Sequence, residues 1–121
     1  MLDYRSLQIW RRSHQLTLVI YAQTQSFPRE ELFGLISQMR RAASSIPTNI
    51  AEGCGRGSDA ELARFLTIAA GSASELDYQL LLAHDLGYIQ PETWLQSQSE
   101  LTEIRKMLTQ FIQTVKKRIA A

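Results

Sequence analysis

Residues Leu32–Gly53 read LFGLISQMRRAASSIPTNIAEG. Projected at roughly 100° per residue, Leu32, Leu35, Met39, Ala43, Ile46 and Ile50 fall on one side of a helix, and Arg41, Ser45, Thr48, Asn49 and Glu52 on the other. The first side is a core stripe. The second is a row of small hydrogen-bonding side chains that ends in Glu-Gly, and what it touches is the functional question. Pro47 removes one backbone donor and predicts a kink, with the freed Ala43 carbonyl helped by Ser44, Ser45 or Thr48. Gly53 is expected to end the helix, and Cys54–Gly57 to form a tight connector.

Outward from this segment the pattern stays helical. Ser6 is expected to cap a first helix to about residue 23, with Leu7, Trp10, His14, Leu18 and Tyr21 on its core side and Ile9, Leu16 and Ile20 on the opposite side. A helix that is apolar on two sides has two neighbours, one of them assigned here to another subunit. Pro28 suits the first position of helix two, which spans about 28–52. Ser58 and Glu61 form a capping-box pair for helix three, about 58–86, whose core stripe is Leu62, Phe65, Leu66, Ala69, Ala73, Leu76, Leu80 and Ala83. On its other side lie Arg64, Ile68, Gly71, Glu75, Tyr78 and Leu82, with a glycine that lets another backbone come close. Pro91 opens helix four, about 91–119, apolar along Leu101, Ile104, Leu108, Phe111, Ile112, Val115 and Ile119 and polar at Lys106, Gln110, Gln113 and Lys117. No strand-period segment interrupts the series. The expected fold is all-α, an antiparallel up-down-up-down four-helix bundle in one domain over residues 1–121.

The 121 residues, 45% hydrophobic and 21% charged, are those of a soluble globular chain. A net charge of +1 gives no overall field to hold a polyanion. The charge is nevertheless polarised, because Asp59–Glu103 carries eight acids against Arg64 alone, whereas the segment from Ile104 onward carries five bases and no acid. A single cysteine and the lack of a leader or long apolar run point to a reducing cytoplasm and no membrane. Candidate polyanion contacts are Arg11, Arg12, Lys106, Lys116, Lys117 and Arg118; the alternative for the last helix is that its bases complement its own dipole. Oligomer-interface candidates are Ile9, Leu16, Ile20, Ile68, Tyr78 and Leu82.

Catalytic and metal chemistry is poorly represented. His14 and His84 stand alone without the Glu-x-x-His pairs of di-iron bundles, so no metal or other cofactor is expected. Cys54 has no dedicated base, and GCGRGS joins two helices, whereas a P-loop follows a strand and carries a lysine.

The strings QMRRAASSIPTNIAEGCGRGS (38–58), FLTIAAGSASELDYQL (65–80), HDLGYI (84–89) and the opening YRSLQIWRRSHQL (4–16) resemble the small bundle proteins encoded within intervening sequences of bacterial 23S rRNA genes. The resemblance covers Tyr4 to Ile89, helix four matching in character only. It implies an up-down four-helix bundle, a ring-like homopentamer, no known enzymatic activity and an unsettled molecular function. It also implies a fold shared with the accessory protein of diversity-generating retroelements, a basic pentamer, from which this nearly neutral chain departs. The signature positions it carries over are Arg41, Ser45, Asn49, Glu52, Gly53, Gly71, Ser72 and Glu75, without catalytic roles. The expectation is a non-enzymatic homo-oligomer with RNA or ribonucleoprotein as a partner; the alternative is a protein-interaction adaptor, such as a retroelement reverse-transcriptase accessory factor.

Overall fold

A computed structural model of the chain describes residues 2–121. A 3-10 turn, Tyr4–Ser6, leads into α1 (Gln8–Thr24); a second 3-10 turn, Arg29–Glu31, and a π-helical turn, Leu32–Ile36, lead into α2 (Ser37–Gly55); α3 (Asp59–Asp85) and α4 (Pro91–Ala120) complete the chain. Among the described residues there is no strand. Each of α1 and α3 packs against both α2 and α4, which places α1 and α3 at diagonal corners. The core is continuous through all four helices and includes Ile20 of α1, Met39 and Ile46 of α2, Leu66 and Leu76 of α3, and Leu101, Ile104 and Leu108 of α4.

Helix ends follow the expected chemistry in part. Ser58 Oγ accepts from the Glu61 N–H at 3.2 Å and starts α3, Gly87 ends it at a φ of 79°, and Pro91 occupies the first turn of α4. Ser6 does not cap α1. It lies in the preceding 3-10 turn, where Asp3 accepts from the Arg5 N–H, and α1 begins after Leu7 without a side-chain cap.

Helix two departs most from expectation. Its first turns are broken at Gly34, whose backbone (φ −113°, ψ −111°) is not helical. Glu31 secures the break, one carboxylate oxygen accepting from the Leu35 N–H at 3.2 Å and the other from the Tyr88 hydroxyl at 3.0 Å. Leu32, expected in the core, is exposed there. Nor does α2 stop at Gly53, which is buried and continues the helix to Gly55. An added Cβ at Gly53 would lie 3.0 Å from Phe65 Cβ and 3.1 Å from Leu62 Cδ1, so this glycine serves close packing against α3. The Ala43 carbonyl, which Pro47 deprives of a backbone donor, accepts from Thr17 Oγ1 of α1 at 3.1 Å, not from a neighbouring serine or threonine of α2.

The faces of α1 differ in part from the expected ones: Leu7 and Trp10 are half-buried and pack on the core as expected. Ile9, Leu16 and Ile20 are 4%, 3% and 0% exposed and belong to the protomer core, so they are unavailable to a second subunit. Ser13, Thr17 and Thr24 share this buried side because each hydroxyl donates to a carbonyl of its own helix. Leu18 and Tyr21, expected inside, are exposed.

Candidate interaction surface

The polar row of α2 divides into internal fasteners and surface charges. Ser45 Oγ lies 2.8 Å from Ser72 Oγ of α3, and either can donate. Asn49 Nδ2 donates to the Ser45 carbonyl at 2.8 Å and to Ser45 Oγ at 2.9 Å. The Ser45–Ser72 bond ties α2 to α3, the Asn49 bonds stay within α2, and together they give Ser45 a serine and an amide as partners, neither of which is a proton-accepting base. Arg41, Ser45, Ser72 and Glu75 line one cleft of about 300 Å³ between the two helices. Glu75 accepts from Gln79 at 3.3 Å, and Glu52 reaches Arg56 at 4.0 Å.

On α3, Ile68 and Tyr78 are exposed, Tyr78 at 61%, while Leu82 is half-buried and packs on the core. Gly71, between them, is exposed, and a Cβ added there would meet nothing within 4 Å. Its lack of a side chain serves no contact inside the protomer.

Along α1 and α2 lie two hollows rich in aromatic side chains. One, about 650 Å³, is lined by Tyr4, Trp10, His14, Pro47, Thr48 and Arg56 among others; Trp10 stacks on His14 with ring centres 5.1 Å apart. The other, about 370 Å³, is lined by Tyr21, Leu32, Phe33, Ile36, Arg40 and Arg41. Phe33, at the break in helix two, is 93% exposed. Sequence periodicity misses these hollows because Trp10, Leu18 and Tyr21 form the more apolar-looking side of α1. The available signal is the set of small hydroxyl residues interleaved with Ile9, Leu16 and Ile20.

Ion pairing reduces the set of free bases. Arg12 makes a two-point bond to Glu100 at 2.7 and 2.8 Å, which raises its pKa. Arg118 makes a similar pair with Asp59 at 3.1 and 3.2 Å; their hydrogen bond raises the arginine pKa and lowers that of the aspartate. Lys106 lies 3.4 Å from Glu103. Among the described residues, Arg11, Lys116 and Lys117 form no ion pair. Arg56 lies 3.4 Å from Glu61 and over the Phe65 ring. Cys54 is buried, and burial pushes its thiol pKa up, away from the thiolate form a nucleophile needs. Among the described residues no group of three or more His, Cys, Asp or Glu side chains is placed to hold a metal ion, and no helix is long and apolar enough to cross a membrane.

The family model described as 23S rRNA-intervening sequence protein matches residues 5–110. The chain belongs to that family. The match runs past Ile89 into α4, further than the sequence strings that suggest it. No curated protein matches the chain. Among solved structures, it is similar to a protein of unknown function from the S23 ribosomal protein family of Bacteroides thetaiotaomicron VPI-5482, with 28% identity, 86% of this chain and 97% of that chain covered, and a TM-score of 0.77. Of the eight positions that the resemblance carries over, Arg41, Ser45, Ser72 and Glu75 line the α2–α3 cleft, Asn49 holds Ser45, Gly53 packs on α3, Glu52 lies on the α1 side of α2 and Gly71 is exposed.

Proposed function

We propose that this chain is a non-enzymatic, homo-oligomeric bundle protein whose protomers assemble through surfaces left uncovered by the four helices. The observation that carries this is the exposed ridge of α3, where Ile68 and Tyr78 flank a glycine with no packing role in its own protomer. The same reading takes the helices in an up-down-up-down course, supported by the bond of Tyr88, just after α3, to Glu31, just before α2, and that of Arg118, near the end of α4, to Asp59 at the start of α3. The stoichiometry of five is proposed from the family resemblance. Native mass spectrometry tests it: a dominant five-chain species is expected, and a dominant single-chain species would overturn the assembly.

RNA binding is a second reading, favoured by Arg11, Lys116 and Lys117, whose charges have no carboxylate partner among the described residues. Ring assembly would repeat these bases and add weak contacts through avidity. Fluorescence anisotropy with a single-stranded RNA at low salt should show binding that weakens as salt rises and on Lys116→Glu with Lys117→Glu. Binding unchanged by both, or absent at low salt, would return these bases to a helix-end role.

A further inference from the structure

Two uncovered surfaces lie on different sides of the bundle, and they differ in shape and charge. Along α1 and α2 lie two separate hollows, one with Trp10 and His14, the other with Tyr21 and Phe33; Arg40 and Arg41 line the second, where Arg40 already donates to Thr24 Oγ1 at 2.9 Å and lies over the Tyr21 ring. The outer side of α3 is a ridge of Ile68, Gly71, Glu75 and Tyr78, with the half-buried Leu82 at its end. After Arg64, α3 has three acids, Glu75, Asp77 and Asp85, and no Lys or Arg. Asp77 is held by Arg105 at 3.5 Å, while Glu75 has only the Gln79 amide. Arg41 lies between the two surfaces, lining the Glu75 cleft as well as the second hollow, yet it has no carboxylate within ion-pair distance among the described residues.

We propose that the α3 ridge of one copy seats across the two α1–α2 hollows of the next, which rests on the homo-oligomeric reading and names the two faces it uses. The ridge from Ile68 to Leu82 is roughly 21 Å long at 1.5 Å per residue, and Trp10 to Tyr21 on α1 spans roughly 17 Å before the exposed Phe33 turn extends it. Gly71 lies in the first half of the ridge, where a missing side chain lets the facing wall approach the α3 backbone. Towards the Phe33 end, Arg41 meets the acidic half of α3. Neither face complements itself, so the contact is head-to-tail, which gives a ring where the rotation between copies closes and never a two-fold dimer.

Two experiments test this. Gly71→Leu adds a side chain where the protomer has open space, so its far-UV circular dichroism at low temperature should match the wild type while its light-scattering mass falls to that of one chain. For the second, chains carrying Tyr21→Cys and chains carrying Tyr78→Cys, differently tagged, are co-expressed and oxidised; Cys54 is buried and does not compete. A disulfide joining the two tags is expected, with none in either variant alone. An oligomer that survives Gly71→Leu and gives no mixed disulfide would overturn this docking and leave the homo-oligomer intact. A monomeric wild type would overturn the homo-oligomer itself.

Discussion

Thr17→Val removes the donor that compensates for Pro47 while leaving side-chain volume nearly unchanged. Thr17 Oγ1 lies 2.8 Å from the Ser13 carbonyl and 3.1 Å from that of Ala43. The Ser13 carbonyl keeps its helical N–H, but the Ala43 carbonyl, on a residue 1% exposed, has no N–H from Pro47 and no route to bulk water. Leaving one buried polar group unpaired costs about 1–3 kcal/mol. With an unfolding entropy of about 2.1 cal/mol/K per residue, a chain of this length loses roughly 4 °C of Tm per kcal/mol, so a fall of about 4–12 °C is expected. Calorimetry at fixed protein concentration reads it, since self-association makes Tm concentration-dependent. Pro47→Ala supplies an N–H to the same carbonyl. In that background Thr17→Val should cost about 1 kcal/mol less, a coupling a double-mutant cycle resolves. A neutral Thr17→Val, or equal costs in both backgrounds, would refute the compensation.

Gly53→Ala should destabilise by about 1–3 kcal/mol in denaturant titration, because its Cβ would press on Phe65 Cβ and Leu62 Cδ1; Gly55→Ala, with nothing within 4 Å, should not. Asp59, whose pKa Arg118 lowers, contributes stability that is present above the unfolded aspartate pKa and lost as pH falls through the lower folded value. Its carboxyl should titrate below the usual aspartate range by NMR, and Arg118→Gln should move it back. The buried Cys54 thiol should react with a disulfide reagent at neutral pH far more slowly in native protein than in denaturant, and equal rates would contradict its burial.

The core stripes of α3 and α4 are legible in the sequence because one dominant apolar face per helix leaves little choice of side. Leu62, Leu66, Ala69, Ala73, Leu76, Leu80 and Ala83 are buried as expected, as are Leu101, Ile104, Leu108 and Val115, whereas Phe65, under Arg56 and Arg64, and Phe111 and Ile112 are half-buried and Ile119 is exposed. Periodicity misreads α1 because it weighs hydrophobicity, not the ability of Ser13, Thr17 and Thr24 to bury their hydroxyls against backbone carbonyls. The break at Gly34 depends on two contacts of Glu31, one with Tyr88 far along the chain, and local pattern does not encode that. At the candidate site, the periodicity of α2 and α3 places Ser45, Asn49 and Glu75 on outward-leaning faces. It leaves hidden that Ser45 and Ser72 meet, because that pairing depends on how the two helices are set against each other.

The most direct test of self-assembly is the mass of the purified wild-type chain in solution by light scattering. The account predicts a mass several times the 13.8 kDa of one chain, with five copies as the proposed number. A mass of 13.8 kDa at every concentration would contradict it.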